Sequence, residues 1–257
     1  MKKNKYKILV LSDLKKTTVS TLKSTVNLAK MIGGEVSFFY VKKPSDVVLR
    51  DNQLSAMRSI NEQYNSTDSI ISKIIKPISK ATDVKIKHSF SFGNVKSEIA
   101  KQIEEQQPDI IVLGKRKPKM INVIGDHITD FVLKNYKGVI MIAANDGTVK
   151  PINSLSLGVL SENEESLNFK FTEDLIKHSQ QPLTSFSVVE KGSKLKESVN
   201  SKNAIEFVFE QGDNAISNIS KYLVKSNINL LCVNRATSGI RNVIDKTNVS
   251  LLLYANA

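Results

Sequence analysis

The chain has 257 residues, 40% of them apolar and 24% charged, with no tryptophan and a single cysteine, the composition of a soluble globular protein. No run of about 18 apolar residues occurs, which excludes a helical membrane span, and the opening apolar stretch Ile8 to Leu11 is shorter than the about 7–15 residues of a secretion signal, so a cytoplasmic location is expected. The net charge of +12 belongs to one part only: residues 1–150 carry 26 Lys and Arg against 14 Asp and Glu, residues 151–257 carry 11 of each.

The run Lys7 to Ser12, "KILVLS", is apolar enough for a strand buried on both faces. Val19, Leu22, Val26 and Ala29 then recur on one face of a helix that the Gly33–Gly34 pair stops. "EVSFFYV", Glu35 to Val41, is the second strand. Pro44 opens a long, mostly helical stretch to about Lys80, whose polar middle, "NEQYNSTDS", reads as a loop or a break. "VKIKHSFSF" alternates as a half-exposed strand does, and Gly93–Asn94 supplies a turn and a helix cap. Val95, Ile99 and Ile103 line the third helix. "PDIIVLG" follows as a buried strand, then a helix from Ile124 to Asn135 with Ile128, Phe131 and Val132 inward, and "GVIMIAA" as a last strand. Helices between nearly all-apolar strands imply a parallel sheet with right-handed crossovers.

The remaining residues repeat this order in shortened form. "SFGNVKSEIAKQIEEQQPDIIVLGKR" aligns with "EQGDNAISNISKYLVKSNINLLCVNR", and "LVLSD" at Leu9 to Asp13 with "GVLSE" at Gly158 to Glu162. The pattern is an internal duplication, with units at 1–147 and 152–257. In the second unit the long helical segment shrinks to about Lys191 to Asn203, and the last helix has little room. Cys232, inside "NLLCVN", is expected to be a small buried hydrophobe.

Catalytic and metal motifs are missing. His88, His127 and His178 are scattered without Cys or carboxylate partners at ligand spacing. No serine sits in a G-x-S-x-G elbow, and the "GK" at Gly114 lacks the upstream glycine of a Walker loop. No enzymatic activity is therefore expected, with weak ATP hydrolysis in the first unit as the alternative.

The segments "ILVLSDLKKTTVSTLKSTVNLAKMIGGEVSFFYVKKP", "FGNVKSEIAKQIEEQQPDIIVLG" and "VIGDHITDFVLKNYKGVIMIA" resemble, in order and spacing, the universal stress protein family across residues 5–145 and more weakly across 155–255. The resemblance implies two tandem doubly wound α/β domains of strand order 3-2-1-4-5, the second reduced, that pair through their last strands in cis or in a homodimer. In such sheets a ligand binds where the strand order reverses, between strands one and four. Asp13 and Gly114 are expected to flank that crevice, and Glu162 and Asn234 its counterpart.

Family members that bind ATP resemble one another in a loop G-x2-G-x9-G-[S/T], whose glycines bring backbone N–H groups to the phosphates. Gly114 matches the first position, but Lys117 replaces the second glycine, ten residues rather than twelve separate Gly114 from Gly125, and Asp126 stands for the hydroxyl. A hydroxyl donor contributes about 1 kcal/mol. A carboxylate about 4 Å from a phosphate charge repels it by roughly 4 kcal/mol at an effective dielectric of 20. Asp126 is also a good cap for the helix after it. The expectation is a degenerate nucleotide site in a stress-response protein that acts by binding and pairing. The alternative is ATP or AMP bound in the first unit by Asp13, Val41, Gly114, Lys115, Lys117, Gly125 and Asp126. A further alternative is a polyanion-binding loop at 115–119, although the absence of interleaved aromatics argues against nucleic acid.

Overall fold

A computed structural model of the chain describes residues 5–43, 53–115, 128–145, 149, 151, 154–161, 167, 169–190 and 204–255. Among these, ten strands form one sheet of order β3-β2-β1-β4-β5-β10-β9-β6-β7-β8. The first five are β1 (Tyr6–Ser12), β2 (Gly34–Lys42), β3 (Ile86–Phe92), β4 (Ile110–Gly114) and β5 (Val139–Ala143). The second five are β6 (Leu157–Ser161), β7 (Leu183–Val189), β8 (Ala204–Glu210), β9 (Leu230–Asn234) and β10 (Ser250–Tyr254). Each set has the order 3-2-1-4-5 and is parallel throughout. The sets meet where β10 runs antiparallel to β5, with Leu252 opposite Met141.

Helices α1 (Thr18–Ile32), α2 (Gln53–Thr82) and α5 (Thr172–Lys177) cover one face of the sheet. The other face carries α3 (Val95–Gln106), α4 (Ile128–Asn135), α6 (Ala215–Lys225) and α7 (Ile240–Lys246). The helix signals act locally as their chemistry dictates. Gly33 ends α1 at φ 70, a left-handed conformation that costs a residue with a Cβ, and the Asn94 side chain accepts from the N–H groups of Lys96 and Ser97 at the start of α3. Both apolar layers run through both sets of strands: Ile8, Phe38 and Val112 share a cluster with Phe171, Cys232 and Leu252. Cys232 is fully buried, and its thiol is held well above its ordinary pKa by that burial.

Two local expectations are corrected. The polar run "NEQYNSTDS" does not break the helix. α2 is continuous because Thr67, Ile71, Ile75 and Ile78 recur on its sheet-facing side, leaving the polar residues to solvent. Val19 does not join the inward stripe of α1; it is exposed, while Leu22, Val26 and Ala29 are buried.

The reduction of the second half has a visible physical correlate. Phe186 of β7 stacks on Phe207 of β8 toward α6. The alternate residues Ser185, Ser187 and Glu206 therefore take the face that α2 covers in the first half, and Ser187 donates to Glu206 at 3.4 Å. Leu183, Val189 and Val208 share that face with these polar groups, and Val208 is left exposed there. Among the described residues no helix lies between β7 and β8; residues 191–203, where a short one is expected, fall outside them.

Tyr136 closes the C-terminal end of α4, its phenol donating to the Pro108 carbonyl at 2.8 Å. Burial, helped by the Asp109 charge, holds the phenol well above its usual pKa of 10.0. An unfolded tyrosine ionises near pH 10 and the folded one does not, so the stability present below that pH is lost as pH rises beyond it. Tyr136→Phe is expected to cost about 1–2 kcal/mol at neutral pH and to flatten the alkaline limb. Urea midpoints measured from pH 8 to 11 check this; parallel curves for the two proteins count against it.

Candidate functional site

β1 and β4 are neighbours, and the helices that follow them leave on opposite faces of the sheet. This is the switch point, and a cleft of ≈ 310 Å³ opens there at the carboxyl ends of the strands. Its floor is apolar, with Leu11, Phe39, Leu113 and, from α3, Ile99. Its rim is polar, formed by Ser12 at the end of β1 with Asp13 and Lys15 after it, by Tyr40 of β2 and Lys43 just beyond it, and by Thr17 ahead of α1 with Thr18 and Thr21 inside that helix. Ile128 and Thr129 at the start of α4 close the remaining side.

The rim is built by local hydrogen bonds. Leu14 adopts φ 55, left-handed and uncommon for a branched apolar residue, at a cost of about 1–2 kcal/mol. The turn is held by its neighbours: the Leu14 N–H donates to the Ser12 hydroxyl at 3.1 Å and the Lys15 N–H to the Asp13 carboxylate at 3.1 Å. The Lys15 ammonium lies 3.8 Å from the same carboxylate. Asp13 thus shapes the turn ahead of α1 while lining the cleft. Ser12 and Thr18 share a hydroxyl contact of 3.0 Å, and the Thr17 side chain makes no capping bond to α1.

Gly114 has no space for a side chain. A Cβ there lies 2.7 Å from the Thr21 hydroxyl and 3.2 Å from that of Thr17. Its counterpart Asn234 carries one, accepting from the Ala236 N–H at 2.9 Å.

Of the residues expected at the site, Asp13, Val41 and Gly114 line this one cleft. Lys115 does not. Its ammonium donates to the carbonyl of Thr247, the residue that ends α7 in the second half, and burial lowers its pKa against a smaller opposing effect of Asp245. Lys117, Gly125 and Asp126, with the rest of the loop 116–127, lie outside the described residues, as does Glu162. Sequence reasoning passed over Lys15, Thr17, Thr18, Thr21, Tyr40 and Lys43. The hydroxyl- and cation-rich run "SDLKKTTVST" directly after β1 was the available signal. Among the described residues no group of three His, Cys, Asp or Glu is placed to hold a metal, and no helix is long and apolar enough to cross a membrane.

Solved structures share the whole architecture at low sequence identity. A universal stress protein from Archaeoglobus fulgidus DSM 4304 superposes with a TM-score of 0.71 at 17% identity, covering 98% of this chain and 97% of its own. A putative universal stress protein from Pseudomonas aeruginosa UCBPP-PA14 gives 0.55 at 10% identity, with 97% and 93% covered. A functionally unknown protein from Pseudomonas aeruginosa PAO1 gives 0.57 at 10%, with 98% and 92% covered. These likenesses establish the fold. No curated protein sequence matches the chain. The model of the universal stress protein family matches residues 6–138, just over half of the 257, so this chain belongs to the universal stress protein family.

Proposed function

We propose that the chain is a non-enzymatic binding protein, organised as units 1–147 and 152–257 paired in cis, whose first-half cleft takes a short adenine nucleotide of the AMP type. One observation carries this reading: Asp13, Val41 and Gly114, far apart in sequence, converge on the switch-point cleft, while the Lys115 ammonium is turned away from it to Thr247. The cleft volume of ≈ 310 Å³ lies at the lower end of the about 300–1,000 Å³ usual for small-molecule sites. An apolar floor suits a base, and the Asp13 carboxylate suits the amino or hydroxyl donors of adenosine. Lys15, Lys43 and the α1 threonines suit one phosphate better than three. The shortened spacing after Gly114 and the acid at Asp126 act against a triphosphate.

Calorimetric titration of AMP, ATP and GMP into the full chain tests the proposal. AMP is expected to bind with micromolar affinity, ATP no more tightly, and GMP more weakly. Asp13→Ala is expected to lower the AMP affinity by about tenfold or more, the loss of a charged hydrogen-bond acceptor. Sub-micromolar ATP binding, or an Asp13→Ala variant that binds AMP as the parent does, overturns the reading.

A further inference from the structure

The two sides of the cleft's mouth at β4 and α4 are each followed by a residue that reaches into the second half. Gly114 lines the cleft, and the next residue, Lys115, donates to the Thr247 carbonyl at the C-terminal end of α7. Thr129 lines the cleft, and the next residue, Asp130, pairs with Arg241 in the first turn of α7. One short helix of the second half therefore touches both flanks of a first-half cleft. At about 1.5 Å per residue, its seven residues form a rod of about 10 Å.

α4 is fixed at its other end as well. Arg235, which follows β9 as Lys115 follows β4, donates to the carbonyl oxygens of Leu133 and of Gly138, the latter at 3.1 Å. The backbone repeats the relation: the Lys115 N–H donates to the Ala143 carbonyl at 2.8 Å and the Arg235 N–H to the Tyr254 carbonyl at 2.7 Å. Each half thus sends the cation after its fourth strand to the carbonyl-rich end of the other half's last helix, where positive charge is favoured.

We infer that α7 splints the first-half cleft, with Lys115, Asp130, Arg235 and Arg241 as positioning residues that set the separation of Gly114 from Thr129. None of the four lines the cleft. The neutral second half thereby has a task in the first: it holds α4, and so the far wall of the cleft, at a fixed distance from β4. Because α4 belongs to both the wall and the contact with α7, occupying the cleft and tightening that contact are coupled, and each strengthens the other by the same factor.

This inference rests on the AMP reading for one readout and is independent of it for another. The full chain is compared with Arg241→Glu, with the milder Arg241→Gln, and with the charge-swapped pair Asp130→Arg plus Arg241→Glu. The Asp130 and Arg241 side chains are 43% and 42% exposed, so the variants are expected to fold. Arg241→Glu is expected to weaken AMP binding by about tenfold, within the usual range of such couplings, with Arg241→Gln intermediate and the swapped pair restored to within about threefold. Amide hydrogen exchange without ligand is expected to quicken at Lys115 and along α4 in Arg241→Glu, and to return in the swapped pair. If the parent binds AMP and Arg241→Glu binds it equally well, the splint is wrong and the AMP reading stands. If the parent binds no AMP, the AMP reading fails and the exchange data decide: quickened exchange at Lys115 and α4 upholds the splint, unchanged exchange overturns it.

Discussion

Leu252→Ala is expected to destabilise the entire chain by about 2–5 kcal/mol, the range for deleting a large buried side chain, and to do so in one unfolding transition. Leu252 is fully buried at the centre of β10, with Met141 of β5 on one side and Cys232 of β9 on the other. Its cluster contains Ile8 and Phe38 from the first half and Phe171 and Cys232 from the second. A cavity at that point loosens contacts in both halves, because their apolar layers are continuous across the β5–β10 seam. Urea unfolding followed by far-UV circular dichroism and by tyrosine fluorescence measures it. Two separated transitions, with only the second-half signal shifted, contradict the prediction and make the halves independent folding units.

Gly114→Val has the second large expected effect, on the cleft rather than on the core. A Cβ at Gly114 already meets the Thr21 hydroxyl at 2.7 Å, and Thr21 is held in place by donating to the Thr17 carbonyl at 2.9 Å. The added methyl groups have nowhere to go but into the cleft or against α1. Overpacking of this kind costs about 1–3 kcal/mol. Expressed wholly at the site, that is about 5- to 150-fold in AMP affinity. Gly114→Ala is expected to lose less, and Asn234→Gly in the second half to leave AMP binding unchanged. Parent-like affinity in Gly114→Val removes Gly114 from the site.

Much of this was legible from residue order. The strands β1, β4 and β5 announce themselves as apolar runs because they are covered on both faces, and α3 by its Asn94 cap and inward Ile99. The duplication was readable from the matching of "FGNVKSEIA" with "QGDNAISNI", and the second strand set indeed repeats the order of the first. Asp13 and Gly114 were expected at the crevice from the strand order that the family resemblance implied, and both line the cleft. The continuity of α2 was missed because a long solvated helix needs only a narrow buried stripe, and a run of polar residues conceals it. The α1 threonines were missed because hydroxyls in a first turn look like helix punctuation until a cleft is seen beside them.

What the sequence by itself determined was the alternation of strands and helices, their caps, the doubling of the fold and the concentration of charge in the first half. The alternation and the caps depend on neighbours within a few residues and leave a local trace, while the doubling and the charge are read by setting one half of the chain against the other. Pairing of the last strands was what the family resemblance implied; the tertiary structure decided the antiparallel register of β5 with β10, the shared apolar layers and the destination of Lys115. In the sequence Lys115 belongs to a basic loop; in the fold its amine reaches Thr247, 132 residues away. No periodicity records such a pairing. It exists only because the antiparallel seam brings the end of β4 beside the end of α7, where carbonyl groups left over by the helix attract a cation.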